Sequence, residues 1–173
     1  MGKLARSNPL WRRYEISIQE LLSALDPSAS VLHDAKVPGR LSQIARQVDV
    51  WATGLVIGQR ISVAVECKLR QRPVDVNIVD GFIGKLLDIG ADRGLIYSSS
   101  GFSDGANMRA YASRNPSILT VSLETPQIVK DLHGAPGYPA DLLVQDVPPH
   151  WIEELDAESF REFLTTGDSP KLN

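Results

Sequence analysis

The sequence predicts an α/β fold in which crossover helices connect the strands of a sheet. Two apolar, β-branched runs, Gln47–Trp51 and Ile61–Lys68, are joined by a turn that carries Gly54 and Gly58, a pattern typical of a β-hairpin. After the hairpin the pattern continues as helix, strand, helix and strand, which places further strands beside it with helices across the sheet. We therefore predict one α/β domain over residues 1–123.

Nine elements follow from the apolar periodicity and from the turn residues between them. Apolar residues at helical spacing predict the helices, and short alternating or continuous apolar runs predict the strands. In chain order they are a helix over 9–25, strands over 30–37, 41–52 and 61–69, a helix over 77–89, a strand over 95–99, a helix over 105–113, a strand over 118–123 and a helix over 151–164.

Local signals support the three helices of this domain. The first carries an apolar stripe that includes Tyr14 and Ile18. The second has a wide apolar face, and we expect Gly81 and Gly84 to let it approach the sheet closely. Ser103 is the predicted N-cap of the third helix, because its hydroxyl can accept a hydrogen bond from an otherwise unpaired backbone N–H.

Composition restricts the class of protein. The chain has 173 residues, and 43% of them are hydrophobic, as in an ordinary globular protein. No apolar run is long enough to span a bilayer, and the first six residues lack the apolar core of a signal peptide. The single cysteine, Cys67, excludes an internal disulfide and a cysteine metal cluster. We therefore expect a soluble, cytoplasmic protein with no membrane partner.

Charge is distributed unevenly along the chain. Residues 1–123 hold 15 Lys and Arg against 11 Asp and Glu, a net charge of +4, whereas residues 124–173 hold 3 against 10, a net charge of −7. We predict that the second segment is a Pro-rich acidic extension with a short helix. A mildly basic body is compatible with binding to phosphate, although the acidic segment can equally be a solvated face.

The strands of the predicted hairpin carry charges that a buried strand should not carry. Because successive strand residues face opposite sides, Glu66 and Lys68 share one face and Cys67 points the other way. Asp49 on the neighbouring strand can then approach Glu66 and Lys68. Two carboxylates and one ammonium group on one patch of a sheet can hold a divalent metal ion with a water molecule beside it. A structural ion-pair network at the rim of the sheet is the alternative.

Asp49 followed by Glu66-Cys67-Lys68 matches the D…(E/Q)xK signature of a nuclease superfamily. Further motifs stand around this signature in the matching order: Tyr14-Glu15, Gln47-Val48-Asp49-Val50, Arg72-Pro73-Val74, Gly94-Leu95-Ile96-Tyr97 and Ser100-Gly101-Phe102-Ser103. Together they closely resemble the Mrr-like restriction endonuclease branch of the PD-(D/E)xK superfamily, over roughly residues 10–123.

This resemblance implies a restriction-endonuclease-like core, with a central mixed β-sheet flanked by helices, that hydrolyses DNA phosphodiester bonds with Mg²⁺ as cofactor. We expect Mn²⁺ to substitute for Mg²⁺. Asp49 and Glu66 match the metal-binding carboxylates, and the backbone carbonyl of Cys67 is the expected third ligand. Lys68 matches the lysine that positions or activates the attacking water.

Two further site residues are implied by the same resemblance. Glu15 matches an acidic residue on the first helix that can add to the metal shell, and Gln47 matches a polar residue two positions before the metal-binding aspartate. Glu15 can instead be a solvated helix residue paired with a basic neighbour. The role of Gln47 is open in the same way.

Several residues near the predicted site could contact nucleic acid. Arg70, Arg72 and Lys85 could bind backbone phosphate, and Ser103 at a helix N-terminus could do the same. A solvated basic turn and an ordinary capped helix are the alternatives for these residues. The histidines, among them His33, lack metal-ligand spacing, and we predict that they lie on the surface.

The sequence therefore predicts a Mg²⁺-dependent endonuclease that acts on DNA. A structure-specific nuclease or junction resolvase is a rival with the same chemistry. A rival of another class is a catalytically silent module that keeps the fold and binds nucleic acid or a partner protein. A homodimer is expected if the enzyme cuts both strands, and the acidic extension could cover the site or dock a protein partner.

Overall fold

The computed structural model describes residues 9–122 and 157–168. Within them lie four helices and five strands. In chain order the elements are α1 (Leu10–Leu25), β1 (Ser30–Pro38), β2 (Ala45–Val56), β3 (Gln59–Lys68), α2 (Val76–Ile89), β4 (Arg93–Ser98), α3 (Asp104–Ala112), β5 (Ser117–Ser122) and α4 (Ala157–Thr166). Across these described ranges no helix has the length and apolar character needed to cross a membrane.

The five strands form one sheet in the order β1-β2-β3-β4-β5. β1, β2 and β3 pair antiparallel, whereas β3, β4 and β5 pair parallel because α2 and α3 carry the chain back across the sheet between them. The predicted α/β fold, with a central mixed sheet flanked by helices, is confirmed.

Two apolar clusters fill the space between the sheet and its helices. Val63, Val65 and Cys67 of β3 belong to the cluster that contains residues of α1 and α4, and Ala64 belongs to the cluster formed with α2 and α3. Since alternate strand residues face opposite sides, α1 and α4 cover one face and α2 and α3 cover the other. Phe163 of α4 is fully buried, so this part of the C-terminal extension packs on the core.

The hairpin differs from its predicted form. β2 continues through Gly54 to Val56, and the turn lies at Ile57 and Gly58, whose φ angles are 51° and 73°. Two central residues with positive φ are the requirement of the two-residue type I′ turn, which suits the twist of paired strands. Leu41 to Ile44 precede β2 and form a turn, although the sequence predicted a strand there.

Close packing of α2 on the sheet also differs from the prediction. Apart from the backbone of α2 itself, no atom of the described residues lies within 4 Å of the position that a Cβ would take at Gly81 or Gly84. The close approach is at Gly94 of β4, where a Cβ would lie 2.5 Å from the Leu86 side chain and 2.8 Å from the Phe82 side chain. The glycine that permits contact is therefore in the strand and not in the helix.

A buried carboxylate fixes the turn between β1 and β2 to the end of α2. Asp88 is 5% exposed and accepts hydrogen bonds from the backbone N–H groups of Leu41 and Ser42, from the Ser42 hydroxyl and from Arg46. The hydrogen bonds from Ser42 hold the pKa of Asp88 below its ordinary value. The backbone N–H of Arg40 donates to the Asp88 carbonyl, so Arg40 has a fixed position next to α2.

The helix predicted over 151–164 is described only in part. Its described portion is α4, which continues to Thr166, and residues 151–156 lie outside the described chain. Ser103 is the N-cap of α3, as predicted, and its hydroxyl accepts a hydrogen bond from the Ala106 N–H.

Candidate functional site

The predicted acidic residues meet at the junction of β2 and β3. The register pairs Val50 with Val65, which places Asp49 and Glu66 at the next position along the two antiparallel strands. The Asp49 carboxylate accepts a hydrogen bond of 2.8 Å from the Cys67 backbone N–H. The hairpin therefore holds the two carboxylates side by side, as the sequence predicted.

An irregularity in β2 lies at Asp49 itself. His33 pairs with Val50 and Ala35 pairs with Val48, but Asp34 and Asp49 between them are unpaired, and Asp34 has a φ of 52°. Val48 packs in the cluster of α2 and α3, whereas Val50 packs in that of α1 and α4. Residues two apart in a regular strand share a face, so the strand changes its facing at Asp49. Asp49 is therefore the point in β2 that groups from both faces of the sheet can reach.

Glu66 is held between two lysines. Its Oε1 accepts a hydrogen bond of 2.6 Å from Lys68 Nζ, and its Oε2 accepts one of 2.7 Å from Lys85 Nζ of α2. Burial by itself would raise the pKa of Glu66, but Lys85 and Lys68 together hold that pKa below its ordinary value. Glu66 is therefore ionised at neutral pH.

Asp49 has the opposite electrostatic environment. Burial raises its pKa to about 6, and the nearby negative charges of Glu66 and Glu15 add to this effect. The hydrogen bond from the Cys67 N–H and the positive charge of Lys68 lower the pKa of Asp49 without cancelling this effect. The protein thus does not fully neutralise the negative charge of Asp49. A cation bound at this carboxylate would supply the missing positive charge.

Glu15 reaches the site from α1 through a histidine partner. His33 Nε2 and Glu15 Oε2 are 2.7 Å apart, and each side chain is only 13% exposed. The prediction that His33 is a surface residue is therefore wrong. His33 lies on β1 beside the irregular position of Asp34, and no sequence spacing connects it with Glu15, which is 18 residues away.

Three other predicted residues, Gln47, Cys67 and Lys85, lie at or near this junction and have different surroundings. The Gln47 amide donates to Asp34 at 2.6 Å and is exposed, so its hydrogen bond goes to β1 and not to the acidic pair. The Cys67 thiol is buried, and burial raises its pKa well above the ordinary value, so it is unreactive. Lys85 contacts Glu66, which makes it part of the acidic junction.

The predicted nucleic-acid contacts in the loops are exposed or tied to neighbouring backbone. Arg70 and Arg72 are exposed in the loop that follows β3. Ser99 accepts a hydrogen bond from the Arg70 N–H, and the Ser100 hydroxyl donates to the Arg72 carbonyl, so the loop after β4 supports this basic loop. Ser103 uses its hydroxyl to cap α3.

The donor set fits a divalent metal ion of the hard, oxygen-preferring kind. Among the residues that the structure describes, no group of three or more His, Cys, Asp or Glu side chains is arranged to hold a metal ion. Mg²⁺, however, keeps several waters and is commonly bound through only one or two carboxylates. Asp49 and Glu66 provide two, and the raised pKa of Asp49 identifies the carboxylate whose charge a cation would best compensate.

Comparison with known proteins gives one family and one related structure. The family model Mrr_cat, described as restriction endonuclease, matches residues 11–125. The solved structure described as "Protein of Unknown Function AF1548" is similar at 15% sequence identity with a TM-score of 0.49, over 88% of this chain and 78% of that one. No curated protein shows significant similarity to the chain.

Proposed function

The chain belongs to the Mrr-type restriction endonuclease family, and on this premise we propose that it is a metal-dependent endonuclease that hydrolyses phosphodiester bonds of DNA. The observation that carries the proposal is the junction of β2 and β3, where Asp49, Glu66 and Lys68 meet. A phosphodiester is anionic and repels hydroxide, so its hydrolysis needs positive charge near the phosphate and a positioned water. At this junction Lys68 and a cation on the two carboxylates would supply the positive charge, and the cation would hold the water.

Each residue of the junction has a distinct task in this proposal. Asp49 and Glu66, with the Cys67 carbonyl, would hold Mg²⁺ or Mn²⁺. When bound, the ion supplies a water of lowered pKa and neutralises charge that develops on the phosphate. Lys68 orients the attacking water and stabilises negative charge in the transition state. Glu15 extends the acidic site from α1, and Gln47 restrains the neighbouring strand through Asp34.

The lysines on Glu66 would rearrange when the site is loaded. Both oxygens of Glu66 already accept an ammonium group, so a cation at Glu66 competes with Lys68 and Lys85 for the same carboxylate. Displacement of either lysine would release an ammonium group beside the place where the phosphate would bind.

The proposal also includes DNA contacts by Lys85, Arg70, Arg72 and Ser103. It further includes a homodimer, a protein partner of the C-terminal extension and a cytoplasmic location.

A second candidate function is supported by the same contacts. The two lysines and Glu66 form a closed ion-pair network, as expected of a nuclease-fold module that only binds nucleic acid or a partner protein. The raised pKa of Asp49 favours the enzyme, because a purely structural network gains nothing from an under-compensated carboxylate.

Cleavage of supercoiled plasmid, single-stranded DNA and a four-way junction separates these functions. We expect wild-type protein to cut at least one substrate in Mg²⁺ or Mn²⁺ and none in EDTA. DNA binding without cutting under any of these conditions would contradict the enzyme and support the binding module. The three substrates also separate a duplex endonuclease from a junction resolvase.

Removal of His33 is expected to weaken the metal site without unfolding the protein. The variant His33→Ala leaves Glu15 without its hydrogen bond, and loss of such an orienting partner typically costs about 10–100-fold in metal affinity or activity. Titration calorimetry with Mn²⁺ measures the affinity directly, and cleavage rates give a second readout.

Two matched variants test whether His33 acts through Glu15. His33→Gln keeps an N–H donor and should recover part of the affinity. Glu15→Gln should cost about as much as His33→Ala, and the double variant should cost no more than either single one, because the two side chains act as one unit. Additive losses would show that His33 acts independently of Glu15.

A further inference from the structure

An open groove of about 500 Å³ lies between the outer part of the hairpin and the C-terminal end of α2. Two exposed arginines line it, Arg40 from the turn before β2 and Arg60 from the start of β3. Within the described chain neither guanidinium forms an ion pair with a carboxylate. Trp51 of β2 also lines the groove and is partly exposed. The groove therefore combines a net positive charge with an aromatic side chain.

The two arginines are held in place by the fold. Asp88 fixes the turn that carries Arg40, and the Arg40 guanidinium lies over Gly90, where a Cβ would come within 2.7 Å of it. Arg60 is paired with Leu55 across the hairpin. Of the described residues that line the groove, Asp92 alone is acidic, and its carboxylate already accepts hydrogen bonds from the Ser62 N–H and hydroxyl.

The groove is in line with the acidic junction. Arg60, Ser62, Ala64 and Glu66 are alternate residues of β3 and share a face, so Arg60 lies about 20 Å along the strand from Glu66. Trp51 is two residues from Asp49, or about 7 Å along β2. Ala64 is buried in the cluster formed with α2 and α3, and Trp51 packs against the same cluster with part of its side chain exposed.

We propose that this groove is a second nucleic-acid contact, which binds phosphates of a strand about 20 Å from the scissile bond and accepts a base on Trp51. The distance to the scissile bond rests on the proposed function, whereas the binding itself does not. A guanidinium offers phosphate two parallel N–H donors, and aromatic faces stack on any base. Exposed arginines beside a partly exposed tryptophan match a strand backbone with its bases turned inward.

The test compares two double variants with the same net charge. Arg40→Gln/Arg60→Gln removes the groove arginines, and Arg109→Gln/Arg161→Gln removes two arginines from the outer helices α3 and α4. Binding of fluorescent single strands 4 to 16 nucleotides long is measured in EDTA over a range of salt. We expect the groove variant to bind the longer strands about tenfold more weakly, with a salt slope lower by about 1.4, since each phosphate contact contributes about 0.7 for single strands.

Strand length gives a second, geometric readout. Wild-type affinity should increase once strands are long enough to span the distance of about 20 Å between the two contacts, and the groove variant should lose this increase while the control keeps it. The single variant Arg60→Gln changes only an exposed residue at the end of a strand, so it tests the groove with little effect on folding. It should weaken binding of the longer strands about threefold. Arg40→Lys should bind more tightly than Arg40→Gln. Equal affinities and salt slopes in the groove variant and the control would overturn the proposal.

The two proposals fail in distinguishable ways. If wild-type protein cuts DNA but strand binding does not depend on the arginines, the groove is not a nucleic-acid site. If no DNA is cut but the groove variant still loses binding, the groove stands and the endonuclease falls. If both hold, mapping of cuts on an end-labelled strand should place the preferred cut about 20 Å along the strand from the segment that the arginines protect.

Discussion

The variant Asp49→Asn is expected to lose about 10³-fold in metal-dependent cleavage and to be more stable than wild type at neutral pH. The loss follows because a neutral amide is a poor ligand for a hard cation, and metal catalysis is worth several kcal/mol. The gain in stability follows from the raised pKa of Asp49, about 6 in the folded protein. Asparagine keeps an oxygen that can accept the Cys67 N–H.

The sign of the pH dependence is fixed by the direction of this shift. The pKa of Asp49 is about 3.9 in the unfolded chain, so the folded state binds the Asp49 proton more tightly. The free energy of unfolding of wild type should therefore fall as the pH rises from about 4 to about 6. A shift of about two pKa units corresponds to at most about 3 kcal/mol, and partial solvation reduces this to about 1–2 kcal/mol. The stability gain of Asp49→Asn should therefore be present at pH 7 and absent near pH 4.

Urea unfolding in EDTA at these two pH values measures the gain, and plasmid cleavage in Mg²⁺ measures the loss. Addition of Mg²⁺ should stabilise wild type, by about 2.7 kcal/mol at a concentration 100 times the Kd, and should leave the variant unchanged. A variant that is less stable than wild type at pH 7, or that is stabilised equally by Mg²⁺, would contradict the role of Asp49.

The acidic pair could be predicted from the sequence because its geometry is local. A β-hairpin needs only β-branched runs and a turn. Strand alternation then places Glu66 and Lys68 on one face, and the pairing of the two strands places Asp49 next to them on the neighbouring strand. The exact turn was not predictable, since Gly54 and Gly58 both permit it. Gly54 lies within β2 because the strand pairs further, as far as Val56 with Gln59.

The contacts that set the charge of the site depend on tertiary packing and could not be predicted. Lys85 reaches Glu66 only because α2 lies close on β4 at Gly94, and no sequence spacing relates a helix residue to a strand residue 19 positions away. His33 meets Glu15 for a similar reason, because α1 packs across β1. A pattern can thus bring candidate ligands together, whereas tertiary packing sets the pKa values of their carboxyl groups.

Lys68→Met is expected to slow cleavage by about 10²–10³-fold, whereas Lys85→Met is expected to stay within about tenfold of wild type. Both substitutions remove one ammonium group from Glu66 and keep the aliphatic stem, so they form a matched pair. In the proposed mechanism only Lys68 orients the water and stabilises the transition state, and loss of one such group costs about 10²–10³-fold in rate. Lys85→Met should stay within about tenfold of wild type, because Lys68 still neutralises Glu66.

Metal affinity distinguishes the role of Lys68 from that of a ligand. Removal of a positive charge beside Glu66 favours a cation there, so both methionine variants should bind Mn²⁺ at least as tightly as wild type. Lys68→Met would then hold metal and DNA without cutting, a combination that Asp49→Asn cannot show because it loses the metal. Single-turnover cleavage and Mn²⁺ titration calorimetry on the same preparations measure both quantities. Equal rate losses in the two variants would show that the lysines act only by neutralising Glu66, and the assignment of Lys68 to the chemical step would have to be withdrawn.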